Sequence, residues 1–150
     1  MHIREATKED YKGWLRVRKA LWPKCSDEMH KVEMEEYLAN PRTRTVFLII
    51  DSNDQVNGFA EVSIRRRVDG SLSAQVGYLE GWYVEPTLRG KGLGGKLIKA
   101  AEKWISAHGL NELASDAELG NKESIEAHIA MGFRETFRLV HFIKNIKNET

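Results

Sequence analysis

The chain has one cysteine, Cys25, and only three prolines in 150 residues. A lone thiol excludes an intramolecular disulfide framework, so a packed core must hold the fold. No apolar run approaches membrane-spanning length, and the longest, Thr45 to Ile50, has the size of a buried strand. An excess of either charge is also missing: 23 basic against 22 acidic side chains leave +1. That argues against a nucleic-acid footprint, and the one basic cluster, Arg65-Arg66-Arg67, is too short to track a phosphate backbone. It reads as a solvated strand edge. His2, His30, His108 and His141 show no metal-ligand spacing with one another, so no metal is expected. Cys25 has no basic neighbour that would mark a nucleophile. Repeats, low-complexity segments, linkers and a cationic-then-apolar leader are lacking too. The expectation is one cytoplasmic domain, residues 1–150, that binds neither nucleic acid nor membrane, with 41% hydrophobic residues for its core.

Glycine, in contrast, is concentrated in Arg89-Gly90-Lys91-Gly92-Leu93-Gly94-Gly95, between a strand-like and a helix-like run. A turn with so few side chains can aim several backbone N–H groups at one phosphate, with a helix dipole behind them. Three templates fit the glycines. A nucleoside-triphosphate loop would use Gly90, Gly95 and Lys96, but Leu97 stands where a magnesium-binding Ser or Thr is needed. A dinucleotide fingerprint would use Gly90, Gly92 and Gly95, but it normally opens its domain, and too little chain follows for a second half. A bare connecting turn needs fewer glycines, each of which costs about 0.5–1 kcal/mol to order. The coenzyme A pattern, Arg89-x-x-Gly92-x-Gly94, remains.

Around the loop the periodicities predict a mixed α/β fold. Ile3-Arg4-Glu5 is a short strand, and Thr7 can cap a helix with Tyr11, Trp14, Leu15 and Val17 that stops at Trp22-Pro23. A second helix starts at Ser26 or Asp27 and runs to Asn40-Pro41. Thr45 to Asp51, Gly58 to Arg67 and Gln75 to Val84 form an antiparallel meander. Leu93, Leu97, Ile98, Ala101, Trp104 and Ile105 recur at helical spacing until Gly109. Glu112 to Asp116 then forms a strand parallel to its predecessor. Asn121 or Ser124 caps a last helix ending at Met131-Gly132-Phe133, and Phe137 to Ile143 makes a final strand.

This order of elements, the glycine loop, Asn121 and Met131-Gly132-Phe133 together resemble the GNAT superfamily of N-acetyltransferases over essentially the whole chain. The resemblance implies a meander followed by a parallel strand pair around the coenzyme A site, with helices on both faces. It further implies that the pantetheine arm of acetyl-coenzyme A pairs with backbone of Trp82, Tyr83 and Val84. The pyrophosphate would lie on Arg89, Gly90, Lys91, Gly92, Leu93, Gly94 and Gly95, with Asn121 also on the cofactor. Leu21-Trp22-Pro23, Leu79-Glu80-Gly81, Ala114-Ser115-Asp116-Ala117 and the ending His141 to Ile146 are similar to bacterial aminoglycoside 6′-N-acetyltransferases; that likeness and an exposed C-terminal strand lead to the expectation of a homodimer. For the acceptor, that likeness implies Trp22 lining the sugar site and Glu80 and Asp116 binding its ammonium groups. A polycationic sugar needs carboxylates near its amines, which the same two residues supply on neighbouring strands.

Two positions depart from the pattern. Arg66 stands where relatives carry an aromatic residue, and Phe137 stands at an acidic position; Glu135, two residues away on an extended strand, is the candidate substitute. Acyl transfer to an amine needs a base, carbonyl polarisation and a proton for the thiolate. Glu80 or Asp116 could take the amine proton directly or through water, and backbone near Tyr83 could polarise the carbonyl. His128 occupies the place where many superfamily members have a thiolate-protonating Tyr, with solvent as the other proton source. Two competitors stand beside the aminoglycoside reading: a GNAT enzyme for another amine, such as a polyamine or a protein N-terminus, and a coenzyme A-binding sensor without turnover.

Overall fold

The computed structural model describes residues 1–147. It divides into two compact units, Met1–Asp116 and Ala117–Thr150. The first contains a five-stranded sheet whose spatial order follows the chain: β1 (His2–Glu5), β2 (Arg44–Ile50), β3 (Val56–Arg66), β4 (Gln75–Val84) and β5 (Leu113–Ser115). The first four are antiparallel neighbours, and β5 alone runs parallel to β4, across the crossover made by helix α3 (Leu93–Ala107). The mixed sheet expected of the GNAT resemblance is therefore present.

Alternation along the strands divides the sheet into two faces. Val46, Leu48, Ile50 and Phe59 pack with Trp14 and Val17 of α1 (Tyr11–Leu21) and Met34 and Tyr37 of α2 (Asp27–Ala39). On the other face the apolar stripe of α3, with Leu97, Ile98, Ala101 and Ile105 buried, covers the sheet and brings Ile105 against Gly77. Thr7 heads a short turn and not α1 itself, whose N-cap residue is Asp10. A 3₁₀ turn, Lys8–Asp10, leads into α1, with the Thr7 N–H donating to Asp10 Oδ2 at 2.8 Å. Ser26 caps α2 by accepting from the Met29 N–H. No described helix is long and apolar enough to cross a membrane.

One irregularity matters for the site. Gly81 pairs with Glu61 and Leu79 with Val62, so Glu80 is an extra residue in β4. Such a bulge lets two consecutive residues oppose one partner and re-aims a side chain. Glu80 thereby reaches Ser63 on the α1/α2 side of the sheet, the side that Gly81 also faces.

The second unit carries α4 (Lys122–Ala130), capped by the Asn121 side chain accepting from the Ser124 N–H at 3.1 Å. The expected final strand, Phe137 to Ile143, is not formed: residues 134–147 have no regular secondary structure. A strand exists only by pairing with neighbouring backbone, and alternating apolar residues state a preference without supplying the partner.

Candidate active site

The glycine loop is shaped by backbone conformation that side chains resist. Gly90 and Gly92 both adopt φ of +81°, and a Cβ on either would meet nothing within 4 Å. Space is therefore not the reason for glycine there; the left-handed backbone is. Gly92 is the N-cap of α3, so the first amides of that helix point out of its end, where an anion is favoured. Gly94 is glycine for a different reason. A Cβ there would lie 3.2 Å from the Trp82 ring, whose Nε1 donates to the Gly94 carbonyl at 3.2 Å. Arg89 Nε donates to the Val84 carbonyl at 2.8 Å. The end of β4 and the loop are thus tied together at Trp82 and Val84. Leu93 is buried at the start of α3, while Lys91 is exposed and Gly95 lies in the first helical turn.

Beside the loop the two parallel strands part. β5 pairs with β4 at Gly77, Tyr78 and Leu79, and β4 runs on beyond that ladder to Val84. The backbone of Trp82, Tyr83 and Val84 therefore borders an opening between strands. An extended amide-bearing chain could add to that edge as a strand would, and a diphosphate at its end would meet the α3 N-terminus. These residues fit acetyl-coenzyme A.

Glu80 and Asp116 belong to one polar cluster on the α1/α2 side of this opening. Arg65 Nη2 donates to Glu80 Oε1 at 2.5 Å and its Nε to Oε2 at 2.8 Å; Ser63 Oγ adds a bond to Oε2 at 2.5 Å. The Arg65 guanidinium lies 3.6 Å from the centre of the Tyr78 ring, and the Tyr78 hydroxyl donates to Asp116 Oδ2 at 2.5 Å. Glu80 holds the Arg65 cation above its ordinary pKa, mainly through their hydrogen bonds. Burial, then the bond to Asp116, pushes the Tyr78 phenol well above its usual range, so it remains a donor. Trp22, just after α1, stacks edge-on against Phe59 and lies so close to Gly81 that a Cβ there would be 2.4 Å from its ring. The bulge places this aromatic wall next to Glu80.

A second cluster, sealed from water, stands behind Trp22. Arg18 Nη1 bonds both oxygens of Glu61 at 2.7 and 2.6 Å, and Trp14 Nε1 donates to Glu61 Oε2 at 2.8 Å. Arg18 Nε donates to His30 Nδ1 at 3.0 Å, which leaves the hydrogen of neutral His30 on Nε2, 3.3 Å from the Trp22 carbonyl. Burial pushes the Glu61 carboxyl up to about 7, against the opposing pull of Arg18 and Trp14. The sequence alone points to none of Arg18, Glu61, Ser63, Arg65 and Tyr78 as site residues. The available signal is the alternation Glu61-Val62-Ser63-Ile64-Arg65, which puts three polar side chains on one face of a strand.

The basic cluster needs one correction. Arg66 and Arg67 are exposed at the end of β3, which is the central strand and not an edge of the sheet, and Arg65 is bound to Glu80. Arg66 alternates to the opposite face from Arg65 and pairs with Gln75.

In the second unit, Asn121 uses its side-chain oxygen as the α4 cap. His128 Nδ1 donates to the Ser124 carbonyl at 2.7 Å, and its ring meets Phe133 edge-on. Glu135 is bound to Arg138, which holds its carboxyl below the ordinary carboxylate range. Among the described residues no group of three His, Cys, Asp or Glu is placed to hold a metal ion.

Residues 6–133 match the model of the acetyltransferase (GNAT) family. The aminoglycoside N(6′)-acetyltransferase type 1 of Klebsiella aerogenes is 38% identical over 144 residues, 95% of either chain. An aminoglycoside antibiotic 6′-N-acetyltransferase from Acinetobacter haemolyticus, solved in its apo form, is 38% identical with a TM-score of 0.90, covering 98% of this chain and all of its own. AAC(6′)-Iy, solved with the bisubstrate analogue CoA-S-monomethyl-acetylneamine, is 35% identical with a TM-score of 0.90, covering 97% of this chain and 98% of its own.

Proposed function

The chain belongs to the acetyltransferase (GNAT) family, and from that premise we propose that it acetylates the 6′-amine of aminoglycoside antibiotics with acetyl-coenzyme A, so conferring resistance to them. The observation that carries this reading is the pair Glu80 and Asp116, joined through Arg65 and Tyr78 and set beside the strand opening. A sugar bearing several ammonium groups is the acceptor that such a surface favours. We read residues 1–150 as one functional domain, because the family match runs from residue 6 to residue 133.

Acetyl-coenzyme A supplies the activated acyl group as a thioester. The amides of the Arg89–Gly95 loop, from Gly90 through Lys91, Gly92, Leu93 and Gly94, bind its diphosphate, and the backbone of Trp82, Tyr83 and Val84 holds its extended arm, with Asn121 as a further cofactor residue. Trp22 gives the sugar an apolar wall. Asp116 spends one oxygen on Tyr78 and receives the 6′-ammonium on the other, then takes its proton directly or through water. The freed amine bonds to the thioester carbonyl carbon, the carbon–sulfur bond breaks, and the thiolate takes a proton from His128 or from solvent. Glu80 binds a second ammonium group.

Both substrates are held together, so transfer is direct. We place this reaction in the cytoplasm and read the protein as a homodimer; the exposed Val140, Phe142 and Ile143 support the latter. Thiol release from acetyl-coenzyme A, followed across aminoglycosides with and without a 6′-amine, tests the reading. Release only with the 6′-amino compounds is expected. Turnover of spermidine or peptides but of no aminoglycoside would overturn it.

A further inference from the structure

We propose that Arg65 is an internal stand-in for an acceptor ammonium group, and that by occupying Glu80 it sets how strongly polyaminated acceptors bind. The inference rests on the aminoglycoside reading above. Its ground is the geometry of one carboxylate. Glu80 receives both arms of the Arg65 fork and the Ser63 hydroxyl, so each oxygen is already engaged by a donor and the charge is already matched. An ammonium group approaching Glu80 meets a cation in its place.

The occupant can be exchanged. The Arg65 side chain is 46% exposed against 22% for Glu80, and a pair so open to water is held only weakly. Stacking on Tyr78 keeps the guanidinium between the two acceptor carboxylates, since the Tyr78 hydroxyl ends on Asp116. Arg65 therefore subtracts one charge from the acidic surface without blocking Asp116. An acceptor that places a single ammonium on Asp116 leaves Arg65 where it is. One that places a second ammonium on Glu80 has to displace it.

Arg66 supplies the control. It carries the same charge one residue away but belongs to the opposite face of β3. Steady-state kinetics would be measured for Arg65→Gln, Arg65→Lys and Arg66→Gln with 6′-amino aminoglycosides that differ in their number of further amines. Arg65→Gln should lower acceptor KM about two- to five-fold, the factor equivalent to a surface ion pair, most for the amine-rich acceptors, with acetyl-coenzyme A KM unchanged. Arg65→Lys, which keeps the charge but loses the fork, should gain less. Adding Glu80→Gln to Arg65→Gln should abolish the gain.

An unchanged or higher acceptor KM in Arg65→Gln would overturn the inference and make Arg65 a support for Glu80. An equal gain in Arg66→Gln would also overturn it, because net charge alone would then account for the effect. In either case normal wild-type turnover leaves the aminoglycoside reading standing. Absence of wild-type turnover with every aminoglycoside would sink both.

Discussion

Arg18–Glu61 and Arg65–Glu80 each join an arginine to both oxygens of a carboxylate on the same side of the sheet, the first through Nη1 alone and the second through Nε and Nη2, and water separates their roles. In the first pair the side chains are 1% and 2% exposed; in the second they are 46% and 22%. A buried pair must satisfy every donor and acceptor internally, and here Trp14, His30 and Glu33 complete it. The open pair has solvent as an alternative partner, so its geometry can be traded for a ligand. The first is architecture that fixes α1, α2 and Trp22, whereas the second has the means to recognise a cation. Chemistry alone does not distinguish them, because the residue types are identical.

The comparison breaks most visibly in stability. Glu61→Gln should cost about 3–5 kcal/mol, because a buried Arg18 loses its main counter-charge, and pairing it with Arg18→Met should restore much of the loss. Urea unfolding of both variants at pH 8 measures this. Glu80→Gln, by contrast, should change stability by less than about 1 kcal/mol. A loss from Glu80→Gln as large as that from Glu61→Gln would erase the distinction drawn between the pairs.

Activity should run the other way. Asp116→Asn should lower kcat by about 10²-fold and alter its pH profile, as removal of a general base does, while acetyl-coenzyme A affinity stays near wild type. Glu80→Gln should mostly raise acceptor KM. Equal and full turnover in both variants on every aminoglycoside would remove the acceptor role from this cluster.

A third site sharpens the contrast because it depends on backbone. Gly92→Val forces a β-branched residue into a left-handed conformation, a strain of about 1–3 kcal/mol, and should weaken acetyl-coenzyme A binding roughly ten-fold. Calorimetry would show acceptor affinity little changed. Unchanged cofactor affinity would withdraw the loop from the diphosphate site.

The smallest expected effect belongs to a pair of intermediate exposure, Arg4–Asp10, at 39% and 10%. The hydrogen bonds from Arg4 hold the Asp10 carboxyl below its ordinary value of 3.8. Its folded-state pKa is depressed, so its stabilisation is present above about pH 4 and is lost as pH falls through the lower folded value. Asp10→Asn should cost at most about 1 kcal/mol at neutral pH and flatten the acid limb of a stability profile. A steeper acid limb in the variant would contradict the assignment.

Much of this molecule is legible in its residues alone. Gln75 to Val84 is a strand with the bounds expected, the helix after the glycine loop begins at Leu93, and Asn121 caps α4. Such features follow from local causes: period-two and period-3.6 patterning, left-handed glycines and capping side chains. The failures have a common cause as well. Phe137 to Ile143 has strand-like alternation without a paired neighbour among the described residues, and pairing is a non-local event. Arg65 and Arg66 are indistinguishable as neighbours in a basic triplet, although one binds Glu80 and the other does not.

The sequence by itself determined most of the elements and the turn at Gly90 and Gly92, because each rests on residues within a few positions of one another, and the family, through motifs spread along the chain. Tertiary structure alone decided which carboxylate is sealed and which is open. Glu61 and Arg65 lie four residues apart on one strand, but α1 and α2 cover only the first. The extra residue at Glu80 then turns its carboxylate toward Arg65 and Ser63. Burial and bulge geometry arise from segments that meet only when the chain folds, so no local pattern could have assigned these two arginines their different partners.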